Sequence, residues 1–400
     1  METGRWWQVP RLHGEEEQET ERRVSWLELF YDLVFVVVIA EVAHYLSGHL
    51  SLEGIAGYLL LFAAVWWAWI GGTFYNERFE TQDISYRLIT FCQMVPVAAM
   101  AIFAYNGLGT TSVQFILSYV AVRIVIVCMW VRAGWHVPRF RPVSRRYTIG
   151  FSTSIALLLI STQITPPLRF MLWAVALLLD LFTPAFTATY QTQLPRFSTS
   201  KLPERFGLFV LIVLGEAIVG VISGVAAKED LTLVTGIALA LGMALAFGLW
   251  WIYFDFIARR PFRAGFWWSV GWNYGHLPLV MSIAAIGAGL ITLLESETSP
   301  ESYQLIGGAL GLALVAIGAI ELTLRRDLDE PTDLRTSVLL KWAAAPFAVL
   351  LGAFGTQLGL IGFLACLLPL LWVQMAYGAY TWFTHSTPPA EQIEAEQVPT

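Results

Sequence analysis

Four ionisable side chains fall within one apolar stretch, Leu27–Ser47: Glu28, Asp32, Glu41 and His44. The stretch is long enough to cross a bilayer, where an ionisable group near the centre costs roughly 2.5–3.5 kcal/mol on translocon-insertion scales. Such groups persist where they face protein or water, and there they bind ions, move protons or pair with one another. On an ideal helix Glu28 and Asp32 lie about 40° apart, and Asp32 and Glu41 about 180° apart. The helix is therefore polar on two faces and is expected at the centre of a bundle. Glu41 and His44 form Glu-x-x-His, a spacing used by di-metal bundles only when a second such motif and further carboxylates accompany it. The sequence holds one, so no metal is expected. A hydrogen-bonded carboxylate–imidazole pair that takes up and releases protons is the favoured chemistry.

Other ionisable residues lie deep in apolar runs. Glu216, in Leu-Gly-Glu-Ala, sits at nearly the depth of Glu41. Asp180 is followed by Pro184, which can free backbone carbonyls. Arg123 is the one deep cation, expected to pair with Asp180 or Glu41. Near the start of the first span, Glu28 and Asp32 are expected to meet Arg87, either as a salt-bridge network or as a gate; Glu28 alone could equally be a solvated helix end. His276 is expected as a bonded core histidine. Trp66, Trp67, Trp250 and Trp251 are expected in packing or at interfaces, with a substrate cavity as the functional alternative. The ion-coupling candidates are thus Glu41, His44, Glu216 and Asp180, and the gate or network candidates Glu28, Asp32, Arg87 and Arg123.

These residues have to be positioned by transmembrane helices. The 400-residue chain is 56% hydrophobic and only 14% charged, against about 25% charged in soluble domains, and its mean hydropathy is +0.61. Twelve spans are expected: Leu27–Ser47, Ile55–Tyr75, Tyr86–Tyr105, Val113–Val131, Tyr147–Ile164, Leu168–Ala188, Phe206–Ala226, Leu233–Ile257, Gly271–Leu293, Tyr303–Leu324, Trp342–Leu358 and Ile361–Phe383. The least marked boundary is the eleventh, at Gly355-Thr356-Gln357. Alternate loops are basic, from Arg78 through Arg132–Arg146, Arg196–Arg205 and Arg259–Arg263 to Arg325–Lys341, whereas the opposite loops hold only Arg169 and Lys228. The positive-inside rule then puts both termini in the cytoplasm. The N-terminal residues are acidic and polar rather than a signal peptide. Cys92, Cys128 and Cys366 are expected as buried small hydrophobes rather than a disulfide or metal site.

The two halves share residues in the same order. Glu28-Leu-Phe30 corresponds to Glu204-Arg-Phe206, Trp66-Trp67-Ala-Trp69 to Trp250-Trp251-Ile-Tyr253, and Met94–Ala99 to Val280–Ala285. The fourth to sixth spans have no such match. A six-plus-six parallel repeat is expected, with a pseudo-two-fold along the membrane normal: residues 1–24 an acidic tail, 25–190 the first repeat, 191–205 a linker, 206–384 the second repeat and 385–400 a second tail. In the seventh span Gly220-x-x-x-Gly224 offers a close-packing face. The counterparts of Asp32 and His44 are Leu208 and Gly220.

Glu28-Leu29-Phe30-Tyr31-Asp32-Leu33-Val34-Phe35 resembles the signature of the bacterial low temperature requirement A family. Similarity continues through Trp66-Trp67-Ala-Trp69, Thr73, Tyr75-Asn76, Phe79, Asp83 and Arg87, and again from Arg205-Phe206 to Leu214-Gly215-Glu216. The resemblance implies a polytopic architecture and a link to growth in the cold, and it brings no reaction, substrate or cofactor. Phe30-Tyr31-Asp32 is also similar to the Phe-Ser-Asp motif of lysosomal-type potassium channels, whose second copy reads Phe206-Gly207-Leu208 here.

No Walker loop, zinc-protease helix or nucleophile elbow is present, and there is no basic nucleic-acid module. The expected protein is an all-α membrane protein whose partners are the lipid bilayer and a small molecule or ion, with no nucleic acid and no cofactor, as a monomer or a homodimer. Its expected activity is proton- or cation-coupled secondary transport, with a site between the first and seventh helices. A cation channel with an acid-lined pore comes second, and a membrane-embedded enzyme using Glu41 and His44 third.

Overall fold

The computed structural model describes residues 6–12, 24–79, 81, 83–198, 200–228, 230, 232–258, 260–296, 299–326 and 331–385. The acidic run Glu15–Glu17, the C-terminal tail beyond His385 and Arg259 lie outside the described residues. Twelve long helices follow one another: α1 Trp26–Ser47, α2 Leu52–Phe79, α3 Ile84–Ala104, α4 Ser112–His136, α5 Arg141–Ser161, α6 Leu168–Phe182, α7 Lys201–Ala226, α8 Leu233–Tyr253, α9 Phe266–Glu295, α10 Pro300–Glu321, α11 Leu334–Ala353 and α12 Gly355–His385. Ten are long and apolar enough to cross a membrane. The other two are α1, which carries the acids, and α5, which opens on Arg141, Arg145 and Arg146. The molecule is a multi-pass helical membrane protein. Among the described residues the one non-helical pairing is an antiparallel bridge between Phe262 and Leu324.

Local chemistry sets the helix ends. Ser25 and Glu28 form a capping box on α1: the Glu28 amide donates to Ser25 Oγ at 3.3 Å and the Ser25 amide to Glu28 Oε2 at 3.0 Å, satisfying two donors the helix cannot. Thr232 caps α8 and Asp333 caps α11 in the simpler one-way form. The eleventh boundary falls at Phe354, earlier than expected. A second break follows inside α12 at Gly359, whose φ of 67° suits a residue without Cβ.

The core is shared by α1, α2, α7, α9 and α10. α1 packs on α2 and α3, α3 on α4, α4 on α5, α5 on α6 and α2 on α4 and α6; later in the chain α7 packs on α8 and α9, α9 on α10, α10 on α11 and α12, α11 on α12 and α8 on α12. The two sets meet where α9 packs on α1 and α2 and where α1 touches α7. α7 and α9 approach through glycines. A Cβ on Gly220 would collide with the Gly287 carbonyl, and one on Gly287 would stand 2.7 Å from the Glu216 carbonyl oxygen.

Several placements differ from expectation. Cys92, Cys128 and Cys366 are exposed on the outer faces of α3, α4 and α12 rather than buried, because a thiol suits a lipid-facing surface as well as a core. Arg78, Lys201, Arg205 and Lys341 are not solvated loop residues; all four are buried in helices. The linker is correspondingly shorter, since α7 begins at Lys201.

Part of the acidic tail is packed. The Gln8 amide donates to Asp83 Oδ2 at 2.9 Å, Arg132 Nη2 donates to the Gln8 carbonyl at 2.6 Å, and the Arg132 guanidinium lies 4.2 Å from the Trp7 ring centre. Burial pushes the Asp83 carboxyl up, but hydrogen bonds from Ser85, Thr81 and the Gln8 amide outweigh it and hold the group below the ordinary carboxylate range. The stability this adds is present above the unfolded-state pKa and lost as pH falls through the lower folded-state value. Residues 6–12 are therefore expected to lose amide-exchange protection below about pH 4, and in Asp83→Ala at neutral pH. Equal protection in wild type and variant would mean that Arg132 and Trp7 hold the segment without Asp83.

Candidate functional site

Where α1 and α7 begin, four charges are buried together. Glu28 Oε1 accepts from Arg205 Nη1 at 3.1 Å and Glu28 Oε2 meets Lys201 Nζ at 3.0 Å. Asp32 Oδ1 accepts from Arg205 Nη2 at 3.0 Å and from Trp69 Nε1 at 2.8 Å. All are buried, and two acids balance two cations. Asp32 Oδ2 and Arg205 Nε have no hydrogen-bond partner. A network of this kind repays its desolvation through geometry, and it makes removal of one member costly. A further contact joins the same two helix starts: Glu204 accepts from the Val24 amide at 3.2 Å, just before α1.

This arrangement corrects one pairing. Asp32 does not meet Arg87, which is exposed at the start of α3; its partner is Arg205, brought from across the chain by the contact of α1 with α7. The signal available in the sequence was a cation at the head of an apolar helix, next to Phe206.

Half a helix further on, the deep glutamates come together differently. Glu216 is 9% exposed, and the charged group within its electrostatic reach is Glu41. Neither carboxylate has an ion pair or hydrogen bond among the described residues. The expected bond between Glu41 and His44 does not form. His44 is exposed near the end of α1 with its ring 4.9 Å from that of Tyr105, whereas Glu41 is half-buried. Three residues of helix separate their directions enough for each to find a different environment.

Asp180 has a buried cation beside it. It pairs with Arg123 at 3.3 Å and accepts from the Tyr119 hydroxyl at 2.9 Å, the pairing anticipated for the one deep cation. Elsewhere, buried Glu321 meets Lys341 at 3.0 Å and Arg326 at 2.8 Å. His276 is bonded on both ring nitrogens, to the Tyr253 hydroxyl and the Trp272 carbonyl. Among the described residues, buried Glu28, Asp32, Asp180 and Glu321 therefore have cations, whereas Glu41 and Glu216 have neither an ion pair nor a hydrogen bond.

Beside the Arg123–Asp180 pair is a cavity of about 60 Å³ between α2, α4, α5 and α9. It shares Arg78, Gln191 and Ser269 with a vestibule of about 370 Å³ at the end where α1 begins. Trp67 lines it, while Trp66 packs beside Trp67 and Tyr274. Trp250 lies on the surface against Phe247 and Phe254. Arg78 and Asn273, which the sequence reading did not single out, are among its walls. Among the described residues no three His, Cys, Asp or Glu side chains converge as metal ligands would.

Residues 23–378 match the model of a family described as bacterial low temperature requirement A protein (LtrA). A curated relative from Rhizobium meliloti (strain 1021), itself described as uncharacterized, is 30% identical over 328 residues, covering 76% of this chain and 75% of the relative.

Proposed function

Since the chain belongs to the bacterial low temperature requirement A family, whose name specifies no reaction, we propose from its geometry that it is a proton- or cation-coupled secondary transporter. Glu41 and Glu216 are its coupling groups. The observation that carries this reading is their isolation: two mid-helix carboxylates, Glu216 buried and Glu41 half-buried, neither with a hydrogen bond or ion pair among the described residues. Burying uncompensated charge is prohibitive in an apolar medium, so such a pair is stable there with a proton or a small cation bound. Release of that ion must then coincide with a change in its surroundings, which is the requirement for coupling.

Supporting a duplicated architecture are the recurring order of helix packing and the contacts that Glu28 and Glu204 make. The packing order supports the comparison in the fourth to sixth helices as well, apart from α2 on α4 and α10 on α12, which have no counterpart of similar extent. In this reading α1–α6 and α7–α12 are parallel repeats, both termini are cytoplasmic, and the protein resides in the bacterial inner membrane. The deep polar pairs other than Glu41 and Glu216 hold helices together, and His44 is not required as a relay.

The test uses proteoliposomes loaded with a pH-sensitive dye under an imposed pH gradient, challenged in turn with phenylacetate, phenylacetamide and phenethylammonium. Saturable, solute-dependent proton entry is expected for one of the three. Glu41→Gln and Glu216→Gln should each reduce it to the level of empty vesicles. Full proton entry in both variants would overturn the coupling assignment, and unitary conductance steps in planar bilayers would replace the transporter with a channel.

A further inference from the structure

Three side chains on the wall of the cavity beside Arg123 carry polar atoms that the described residues leave unsatisfied. Arg123 is 1% exposed, and its Nε and Nη2 make no hydrogen bond, Nη2 meeting Asp180 only as an ion pair. Trp67, 5% exposed, has an indole N–H without an acceptor. Asn273, 3% exposed, donates through Nδ2 to Ser269 Oγ at 3.4 Å, and its Oδ1 is unpartnered. All three line one space. The other polar groups around it are engaged. Gln191 Nε2 donates to the Tyr147 hydroxyl at 2.6 Å, the Tyr274 hydroxyl to the Leu181 carbonyl at 2.7 Å, and Arg78 to Gln191 Oε1 and the Pro195 carbonyl. Buried polar atoms without partners are uncommon in folded proteins, and each calls for an ordered partner of its own.

Charge and size narrow what that partner is. Asp180 pairs with Arg123, and buried Glu77 acts electrostatically on Arg78, so the wall selects no net charge. The unsatisfied set joins N–H donors of Arg123 and Trp67 to the carbonyl oxygen of Asn273, which requires a neutral occupant that both accepts and donates. A volume of about 60 Å³ is too small for a ring and equals about two waters at liquid density. Buried waters bind such groups through about three hydrogen bonds each. The lining runs from Arg78, in the last turn of α2, to Trp67, about 16 Å deeper by helix rise. Arg123 lies near the middle of α4. At its Arg78 end the cavity meets the vestibule of about 370 Å³, with Gln191 and Ser269 common to both.

We propose that this cavity is a water-binding site entered from the vestibule. Its waters accept from Trp67 and Arg123, donate to Asn273, and bring solvent to the Arg123–Asp180 pair in the middle of the bundle. The pair is then less desolvated than its burial alone indicates, because water reaches the donors that Asp180 does not use. Neither Glu41 nor Glu216 lines the cavity. Hydration requires no flux, so the site stands whether or not those carboxylates couple transport.

Radiolytic hydroxyl labelling of the full-length protein in detergent, read by mass spectrometry, tests it. Radicals formed from a bound water oxidise the side chains beside it even where bulk solvent does not reach. Trp67 and Phe151, on the cavity wall, are matched in type by Trp173 and Phe115, which are also buried and stack on each other away from it. Trp67 is expected to be oxidised severalfold faster than Trp173, and Phe151 severalfold faster than Phe115. Ser269 stands where cavity and vestibule meet. Ser269→Leu, which closes that junction with an apolar side chain, should lower the labelling of Trp67 and Phe151 severalfold. Ser269→Ala, which adds no bulk, should leave it near the wild-type level. The proposal is overturned if Trp67 and Phe151 are labelled no faster than their matched controls, or if folded Ser269→Leu protein is labelled there as wild type is. The matched pairs in wild-type protein decide even if Ser269→Leu does not fold.

Discussion

Arg205→Met is expected to destabilise the protein by about 3–5 kcal/mol, the usual result of breaking a buried ion pair by removing one partner. Glu28 keeps Lys201, but Asp32 loses its only cation among the described residues and retains the Trp69 indole N–H alone. The burden should therefore fall on Asp32. Adding Asp32→Asn to Arg205→Met is expected to recover part of the loss, because an amide can stay buried without a counter-charge. Thermal unfolding in detergent, followed by the monodisperse peak on size exclusion, measures both. If Arg205→Met unfolds at the wild-type temperature, or if Asp32→Asn adds to the damage, the network does not hold α1 to α7 in the way its distances suggest.

Gly220→Ala and Gly287→Ala are each expected to destabilise by about 1–3 kcal/mol, the range for overpacking. The added methyl meets backbone in both cases, the Gly287 carbonyl in one and the Glu216 carbonyl in the other. Backbone cannot rotate aside as a side chain can, so α7 and α9 must separate. Gly308→Ala is the matched control: its Cβ would find nothing within 4 Å, and relief of glycine's helix penalty gives up to about 1 kcal/mol in the opposite direction. Opposite signs from one substitution type separate close approach from helix propensity. Separation of α7 from α9 should also shift Glu216 relative to Glu41 and lower proton-coupled uptake in whatever protein still folds. Gly287→Ala protein with unchanged stability and uptake would show that the glycine contact positions nothing.

Helix number was legible in the sequence because apolar length is a local property, whereas several bounds moved, α11 beginning at Leu334 rather than Trp342. Ser25 and Glu28 declare the start of α1 without reference to any other helix. The Arg123–Asp180 pairing was also accessible, since a lone deep cation has few acids to choose from. The partner of Asp32 was not. Arg87 is nearer in sequence and depth, and only the approach of α1 to α7 delivers Arg205 instead. Glu41 and His44 failed to pair for a related reason: helical spacing fixes neither the neighbour each side chain meets nor the exposure of the helix end. Arg78 and Lys341 look like loop cations in sequence. Their burial depends on the groups brought to them by distant segments, Gln191 and Pro195 for one and Glu321 for the other.

The charges at the start of α1 and α7 bear on how a transporter of this design could move. A gate has to open in each cycle, and opening this one would strip four buried charges of their partners. A link that expensive to part acts better as an axle. If residues 26–182 and 201–385 rock against each other, the displacement is smallest where Glu28 and Asp32 grip Lys201 and Arg205, and it grows with distance along α1 and α7. In the proposed reading Glu41 and Glu216 stand out on those lever arms, so a few degrees of rotation at the anchored end becomes a change in their separation, and with it in their hold on an ion.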